Sequence, residues 1–148
     1  MSTYTQILYQ IVFCTKYTKP TLQKTNRVRL FAYIYGIIIN KKCFPYQING
    51  VADHIHIATH LHPGTSLASL VRDIKVSSSI WIKKEGIFPN FSGWQGGYGA
   101  FTYSISAKQN LINYIRNQEI HHQETSFREE YVKLLREYDV DYDERYLL

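Results

Sequence analysis

The sequence predicts an α+β fold of the ferredoxin-like, split β-α-β type, with a central antiparallel sheet, helices on one face and additional C-terminal helices. Runs of β-branched and aromatic residues alternate with two longer segments of helical periodicity, in the order β-α-β-β-α-β. Two further helical segments follow this unit. The 148 residues and 45% apolar content suit one core, so we expect one domain over residues 1–148, with 123–148 as a C-terminal helix and tail.

The first half of the chain holds three predicted strands and one helix. Residues 4–13 (YTQILYQIVF) are rich in β-branched and aromatic side chains and predict the first strand. Residues 26–42 carry apolar side chains at near-helical spacing, although Gly36 lowers the helix propensity. Residues 46–51 and 54–62 predict two strands joined by a short link, as in a β-hairpin.

The second half begins with a clear helix start. Ser66 is a predicted N-cap, because the apolar residues after it trace one helical stripe as far as Trp81. The remaining predicted elements are a flexible glycine-rich loop, a short strand and two helices, at residues 86–99, 101–105, 107–122 and 126–138. Ser106 is the predicted cap of the first of these two helices, and an acidic tail follows the second.

The composition favours a basic protein with an anionic partner. The net charge of +5 points to nucleic acid as the partner, and the 15% aromatic content supplies faces on which bases stack. Cys14 and Cys43 form no C-x-x-C pair, and no secretory leader precedes the first strand, so we expect a reducing cytoplasm. No apolar run approaches the roughly 20 residues that span a bilayer, which argues against a membrane protein.

A histidine pair marks the second strand of the predicted hairpin. Side chains alternate along a strand, so His54 and His56 share one face, while Ile55 and Ile57 point to the other. If helices cover only the isoleucine face, the histidine face is open to a ligand or to a helix of a second subunit. Two surface histidines on a half-exposed strand are the alternative interpretation.

A tyrosine on the helix at 107–122 could complete a reactive site. Tyr114 and Gln118 lie one turn apart on the same stripe. A phenol has a pKa near 10 and attacks phosphorus poorly unless a metal or a base assists. A divalent cation held by His54, His56 and the side-chain carbonyl oxygen of Gln118 would polarise a phosphodiester. The alternative for Tyr114 is a half-buried helix residue beside the sheet.

Seven basic residues are candidate phosphate contacts, with solvated helix faces as the alternative for each. They are Lys41, Lys42, Arg72, Lys75, Lys83, Lys84 and Arg116. Together they predict that DNA affinity falls steeply as salt rises. The glycine-rich residues 93–99 suggest a hinge that would let the tyrosine helix swing between arrangements.

Four segments in this order are similar to one known family. VADHIHIATHLHP, DIKVSSSIWIKK, FPNFSGWQGGYGAFTYSIS and YIRNQEIHH resemble the single-tyrosine HUH transposases. These are the enzymes of the IS-two-hundred and IS-six-hundred-and-five type insertion sequences and their REP-associated relatives. The resemblance runs from about residue 4 to the closing DYDERYL.

The resemblance implies a metal-dependent DNA transposase that is a homodimer. Family members cut single-stranded DNA beside subterminal hairpins, forming a covalent 5′-phosphotyrosine and a free 3′-hydroxyl. His54 and His56 then match the metal-binding histidines, Tyr114 the nucleophile and Gln118 the third ligand. Family members use Mg²⁺ or Mn²⁺, and the tyrosine helix of one subunit often completes the histidine site of the other.

The same residues leave open the identity of the metal and also have to be compared with the patterns of other protein classes. The imidazoles are softer than the oxygen ligands that Mg²⁺ prefers, so the ligand set alone suits Mn²⁺ or Zn²⁺ at least as well. A histidine-triad enzyme would need a third histidine where Ala58 stands, and the repeated H-x-T or H-x-S of a two-histidine phosphoesterase does not occur. A DNA-binding module adapted to a host role, which binds hairpins without cutting them, would keep the same residues.

Overall fold

A computed structural model describes residues 1–147, and its centre is an antiparallel sheet of four strands in the order β2-β3-β1-β4. The strands are β1 (Leu8–Cys14), β2 (Phe44–Gly50), β3 (His54–His60) and β4 (Gly99–Tyr103). β1 pairs with both β3 and β4, and β2 pairs only with β3. The predicted ferredoxin-like class is therefore confirmed, with β3 and its histidines inside the sheet and β2 and β4 at its edges.

Helices cover both faces of this sheet. One layer contains α1 (Lys24–Asn40) and α2 (Leu67–Glu85). The other contains α3 (Lys108–Arg116), α4 (Gln118–His121) and α5 (Phe127–Glu137). The C-terminal helices thus close the face that the sequence analysis left open.

The side-chain pattern of β1 explains why both faces are covered. Ile11 and Phe13 pack with Ile55 and Ile57 of β3 against α1 and α2. Three of the four alternate residues of β1 are also apolar and buried, namely Leu8, Val12 and Cys14, and Val12 packs against α5. A strand that is apolar on both sides must be covered on both sides. The run ILYQIVF carried this signal, since it does not alternate cleanly between apolar and polar residues.

Several predicted boundaries shift in the structure. β1 begins at Leu8, and Tyr4 is 91% exposed, so the predicted start at residue 4 is wrong. Ser66 caps α2 as predicted, accepting a hydrogen bond from the Ser69 backbone N–H at 3.1 Å. Ser106 caps no helix and instead lies in a short 3-10 turn that precedes α3. Within residues 1–147, no helix is at once long and apolar enough to cross a membrane.

The glycine-rich segment is anchored to the rest of the molecule. The Lys75 ammonium donates to the backbone carbonyls of Gln95 and Gly97 at 2.7 and 2.8 Å. The Trp94 indole packs edge-on against Phe13, with ring centroids 4.9 Å apart. These contacts argue against the flexible hinge expected from the glycine content alone. They also engage the charge of Lys75, which was a candidate phosphate contact.

We therefore expect Lys75→Met to destabilise the fold by about 1 kcal/mol, because two backbone carbonyls, one partly buried and one exposed, lose a charged hydrogen-bond donor. The free energy of unfolding from urea titration checks this prediction. Lys83→Met removes the same charge from an exposed position on the same helix and should change stability by less than about 0.5 kcal/mol. Equal effects of the two substitutions would show that Lys75 does not anchor the segment.

Candidate catalytic and metal site

His54 and His56 are both completely buried, 0% exposed, on the face of β3 that α3, α4 and α5 cover. Their positions follow from strand alternation, since the intervening Ile55 packs into the core on the opposite face. His54 and His56 lie opposite Cys14 and Val12 of β1 in the sheet register. The two imidazoles therefore lie between the sheet and the C-terminal helices.

Each imidazole is oriented through its Nδ1 atom. His54 Nδ1 lies 2.7 Å from the Asp53 carboxylate, and His56 Nδ1 lies 2.7 Å from the side-chain carbonyl oxygen of Gln10. Gln10 also donates its amide to the Tyr103 hydroxyl at 2.7 Å, which fixes which end of the amide faces His56. Because a carboxylate and an amide oxygen only accept, each Nδ1 carries the proton. In the neutral form of each ring, Nε2 then carries a lone pair and faces the interior of the site.

The Glu130 carboxylate from α5 lies at the point where these nitrogens converge. Its Oε1 atom lies 2.8 Å from His56 Nε2, 2.9 Å from His122 Nε2 and 3.4 Å from His54 Nε2. Glu130 is 6% exposed, so this charge is largely removed from water. A buried carboxylate needs compensation by positive charge or hydrogen bonds, and its partners here are mainly imidazoles.

The second oxygen of Glu130 meets the tyrosine helix. The Tyr114 hydroxyl donates to Oε2, and the Gln118 amide donates to the same atom at 3.2 Å. The Gln118 side-chain oxygen lies 3.3 Å from His54 Nε2. Tyr114 of α3 and Gln118 of α4 therefore reach the same carboxylate, and Gln118 is fully buried rather than facing outward.

The helix predicted over 107–122 is interrupted between its two functional side chains. α3 ends at Arg116, and α4 begins at Gln118 after a turn at Asn117. On β2, Asn49 donates its amide to the backbone carbonyls of Ile115 and Arg116, both at 3.0 Å. These carbonyls at the end of α3 lack helical partners, and Asn49 satisfies them. The contact thus fixes the end of the tyrosine helix against the sheet.

The two strand histidines differ in their affinity for protons. Burial lowers the pKa of His56 to about 4, so this imidazole is neutral at pH 7. Burial also opposes a charge on His54, but its hydrogen bonds to Asp53 and Glu130 outweigh that effect and raise the pKa of His54 above the ordinary value. The ring beside Asp53 is thus the readier of the two to carry positive charge.

The pKa values of the Glu130 carboxyl and the Tyr114 phenol are shifted in opposite directions. Burial alone would raise the pKa of Glu130, but its close contacts with the imidazoles of His122, His54 and His56 favour the ionised form and hold that pKa far below its usual range. Burial, together with the adjacent Glu130 charge, raises the pKa of Tyr114 well above its usual value. Glu130 is therefore ionised, and the Tyr114 phenol keeps its proton until positive charge is brought near it.

A cleft leads from the surface to the phenol. It has a volume of about 320 Å³ and lies between α3 and α5, with Tyr114, Glu130, Leu111 and Lys133 among its lining residues. A larger cavity of about 580 Å³, between the glycine-rich segment and the C-terminal tail, does not include the histidines. The smaller cleft is the one relevant to chemistry at Tyr114, because the hydroxyl is half-buried rather than sealed in.

Most of the candidate phosphate contacts lie away from this site. Six of the seven belong to the α1 and α2 layer on the opposite face of the sheet: Lys41, Lys42, Arg72, Lys75, Lys83 and Lys84. Lys41 pairs with the Asp73 carboxylate. Arg116, at the end of α3, is the member on the histidine side, and it is exposed.

Two central residues, Glu130 and His122, were missed in the sequence. His122 lies one turn beyond Gln118 in the run YIRNQEIHH, so its spacing was a usable signal. Glu130 lies on the same stripe of α5 as the buried residues Phe127 and Leu134. A carboxylate on an apolar helix stripe is unusual, since charged residues are rarely buried unless they are paired.

The donor atoms at this centre form a group that could hold a metal ion. One ligand atom each from His54, His56, His122 and Glu130 lies within 4.8 Å of the others, and these side chains are largely shielded from solvent. Both strand histidines also have the hydrogen bond on the second nitrogen that is usual for metal-binding imidazoles. The residues present therefore fit a divalent cation.

Comparisons with known proteins bear on the fold and the family of this chain. Comparison with curated proteins gives no significant match. A candidate transposase from Deinococcus radiodurans R1 has a similar structure, with a TM-score of 0.64, 19% identity, and coverage of 80% of this chain and 95% of that one. A REP-associated tyrosine transposase bound to a REP hairpin matches with a TM-score of 0.58, 17% identity, and coverage of 82% and 74%.

These two likenesses establish a shared fold, and the family is established by sequence. The family described as "Transposase IS200 like" matches residues 3–118, which include β3 with its histidines, Tyr114 and Gln118. The chain therefore belongs to the IS200-like transposase family.

Proposed function

We propose that this transposase cleaves and rejoins single-stranded DNA at hairpin-flanked element ends through a covalent 5′-phosphotyrosine on Tyr114. One observation carries the proposal. The Tyr114 hydroxyl and the Gln118 amide meet the buried histidine pair of β3 through a single carboxylate, all within one chain. A phenol beside a cation-binding group, with a cleft leading to it, is the arrangement that phosphoryl transfer to tyrosine requires.

The reaction conserves the number of phosphoester bonds. Tyr114 Oη gives up its proton to the Glu130 carboxylate, with which it is hydrogen-bonded, as it attacks the phosphorus. The bond from phosphorus to the 3′ oxygen breaks, and that oxygen leaves as a 3′-hydroxyl after taking up one proton, so the number of protons is unchanged. Attack by a 3′-hydroxyl on the phosphotyrosine reverses these changes, so rejoining needs no nucleotide cofactor. The mechanism is therefore strand transfer rather than hydrolysis.

His54 and His56 are the proposed ligands of the divalent cation, with Gln118 beside them as the third. A bound Mg²⁺ or Mn²⁺ would polarise the phosphodiester and offset the developing charge. Asp53 and Gln10 hold the two imidazoles in the required orientation. Glu130 positions the Tyr114 hydroxyl next to the same centre.

We propose single-stranded DNA with subterminal hairpins as the substrate. Family membership supports this, as does the similar fold of a transposase bound to a REP hairpin. We also propose a homodimer in the cytoplasm, where unpaired cysteines such as Cys14 and Cys43 are expected. Because one chain brings Tyr114 to its own histidines, the second subunit would serve to hold a second DNA end.

A hairpin-binding module without cleavage activity is the second candidate. The observation that favours it is the hydrogen bond from Tyr114 to the ionised Glu130, which keeps the phenol protonated. Six of the candidate phosphate contacts also lie on the opposite face of the sheet from Tyr114. A protein that only binds DNA does not need its basic surface to lie next to a nucleophile.

An adduct assay distinguishes the two candidates. The protein is incubated with single-stranded oligonucleotides that carry the flanking hairpins of its gene, together with Mn²⁺, and the products are separated under denaturing conditions. We expect a 3′-end label to move with the protein, and a 5′-end label to appear in a shorter strand that a polymerase can extend. Binding of these oligonucleotides without any adduct would support the module and contradict the proposed cleavage.

A further inference from the structure

We propose that His122 and Glu130 are additional metal ligands, which complete with His54 and His56 a cage for a transition-metal ion such as Mn²⁺ or Zn²⁺ in preference to Mg²⁺. The inference deepens the proposed function, because it concerns the cation at the same site. It can be tested without DNA.

The first argument comes from the hydrogen-bond partners of the two strand histidines. Both Nδ1 atoms face oxygens that only accept, so in the neutral rings both Nε2 atoms present lone pairs. Glu130 Oε1, which also only accepts when ionised, nevertheless lies 2.8 Å from His56 Nε2 and 3.4 Å from His54 Nε2. Acceptors this close repel one another unless positive charge lies among them. A shared cation satisfies all of them at once.

The second argument comes from the separations between the donor atoms. Ligands that lie about 2.0–2.2 Å from a zinc-like ion are about 3.0–3.5 Å apart from one another in common coordination geometries. Glu130 Oε1 lies 2.8, 2.9 and 3.4 Å from the three imidazole nitrogens. These distances are close to those of donors that share one ion.

The third argument is the chemical type of the donors. Three imidazole nitrogens and one carboxylate oxygen suit Mn²⁺, Zn²⁺ and related ions. Mg²⁺ prefers oxygen ligands and keeps several of its waters. The group is also buried, with His54 and His56 0% exposed, so an ion bound there must give up waters, which Mg²⁺ does reluctantly.

The four proposed ligands come from different elements of the fold, so a bound metal ion would connect these elements. His54 and His56 come from β3, His122 follows α4, and Glu130 comes from α5. An ion bound by all four would cross-link the C-terminal helices to the sheet. Metal binding should therefore stabilise the folded chain and raise its melting temperature, by an amount that grows with the logarithm of the metal concentration divided by Kd.

The test is a metal titration of the full-length protein in the absence of DNA. Protein stripped with a chelator is titrated calorimetrically with Mn²⁺, Zn²⁺ and Mg²⁺, and the variants His122→Ala and Glu130→Gln are treated alike. We expect Mn²⁺ and Zn²⁺ to bind more tightly than Mg²⁺. Each variant should lose about 100-fold in affinity, the upper end of the loss seen when even an outer partner of a metal ligand is removed.

Two neighbouring residues provide matched controls. His121→Ala and Glu129→Gln make the same chemical changes one position earlier in the chain, at exposed side chains, and should alter metal affinity by less than about twofold. Circular dichroism and thermal melting in chelator verify that each variant is folded. The Co²⁺ visible spectrum, which depends on the number and type of ligands, provides a second readout and should change in the two test variants only.

Either of two results would overturn the inference: unchanged Mn²⁺ and Zn²⁺ affinity in both test variants, or a wild-type preference for Mg²⁺. Failure of the proposed function would look different. Protein that binds Mn²⁺ through His122 and Glu130 but forms no DNA adduct would preserve the inference and reject cleavage. If the wild-type protein forms the adduct but neither variant changes the metal affinity, the inference is rejected and the proposed cleavage is preserved.

Discussion

Replacing Tyr114 with phenylalanine should abolish the covalent protein–DNA adduct completely, while leaving hairpin affinity within about twofold of the wild type. The substitution removes only the hydroxyl oxygen that would attack phosphorus, and no other group in the histidine cluster can form the same stable ester. The ring itself, which lies 5.9 Å from the His56 ring between centroids, is retained. Denaturing electrophoresis of labelled DNA measures the adduct, and fluorescence anisotropy measures binding.

Tyr131→Phe is the matched control for this experiment. Tyr131 is also a half-buried tyrosine on a C-terminal helix, but it packs against Phe127 rather than against the Glu130 carboxylate. We expect Tyr131→Phe to form the adduct at the wild-type rate. An adduct that persists in Tyr114→Phe would contradict the assignment, and peptide mapping would then identify the true attachment residue.

Replacing Gly50 with alanine should destabilise the protein by about 3 kcal/mol, the upper end of the usual range for overpacking. A Cβ atom at this position would lie 2.3 Å from the His54 backbone carbonyl oxygen and 3.1 Å from Ile55 Cα. Both contacts are to backbone, so the β2–β3 hairpin itself must move. The free energy of unfolding from denaturant titration tests the prediction, and reduced Mn²⁺ affinity would report the displacement of His54.

Gly36→Ala provides the opposite expectation within the same chain. Gly36 lies on α1, and an added Cβ would meet no atom within 4 Å. Alanine is the better helix former, so the substitution should stabilise the protein by about 0.5–1 kcal/mol. If the two glycine substitutions had similar effects, the close approach of Gly50 to His54 would not be the cause of its cost.

The parts of the site that were predictable are those encoded by local periodicity. His54 and His56 share a face because strand side chains alternate, and Tyr114 and Gln118 share a side because they are one turn apart. Neither argument needs the tertiary structure. The resemblance to HUH transposases then related the two pairs to each other, and family membership is confirmed by the match over residues 3–118.

Glu130 could not be found in this way, because its role depends on where α5 packs. Its side chain lies 74 positions along the chain from His56, the imidazole it contacts at 2.8 Å. Local pattern specifies that α5 has a buried stripe, but not which face of the sheet it covers. The expectation of an open histidine face failed for the same reason.

The contacts of the glycine-rich segment count against the predicted flexible loop, because glycine content describes only what the backbone permits. Lys75 on α2 anchors this segment through two carbonyls, and its partners are 20 and 22 residues away in sequence. The same ion–dipole contact removes Lys75 from the set of freely available surface charges. The sequence thus shows that Lys75 carries a charge, but whether that charge can contact a phosphate depends on the neighbours of Lys75 in the fold.

The distribution of the cluster along the chain also affects when the enzyme can become active during its synthesis. The ribosome releases β3 early, while Glu130 belongs to the last α-helix among residues 1–147. Because chains emerge amino terminus first, a nascent protein carries its histidines and then its tyrosine before the carboxylate that joins them. The complete cluster would therefore assemble late in translation, when α5 can dock, and incomplete polypeptides would lack it.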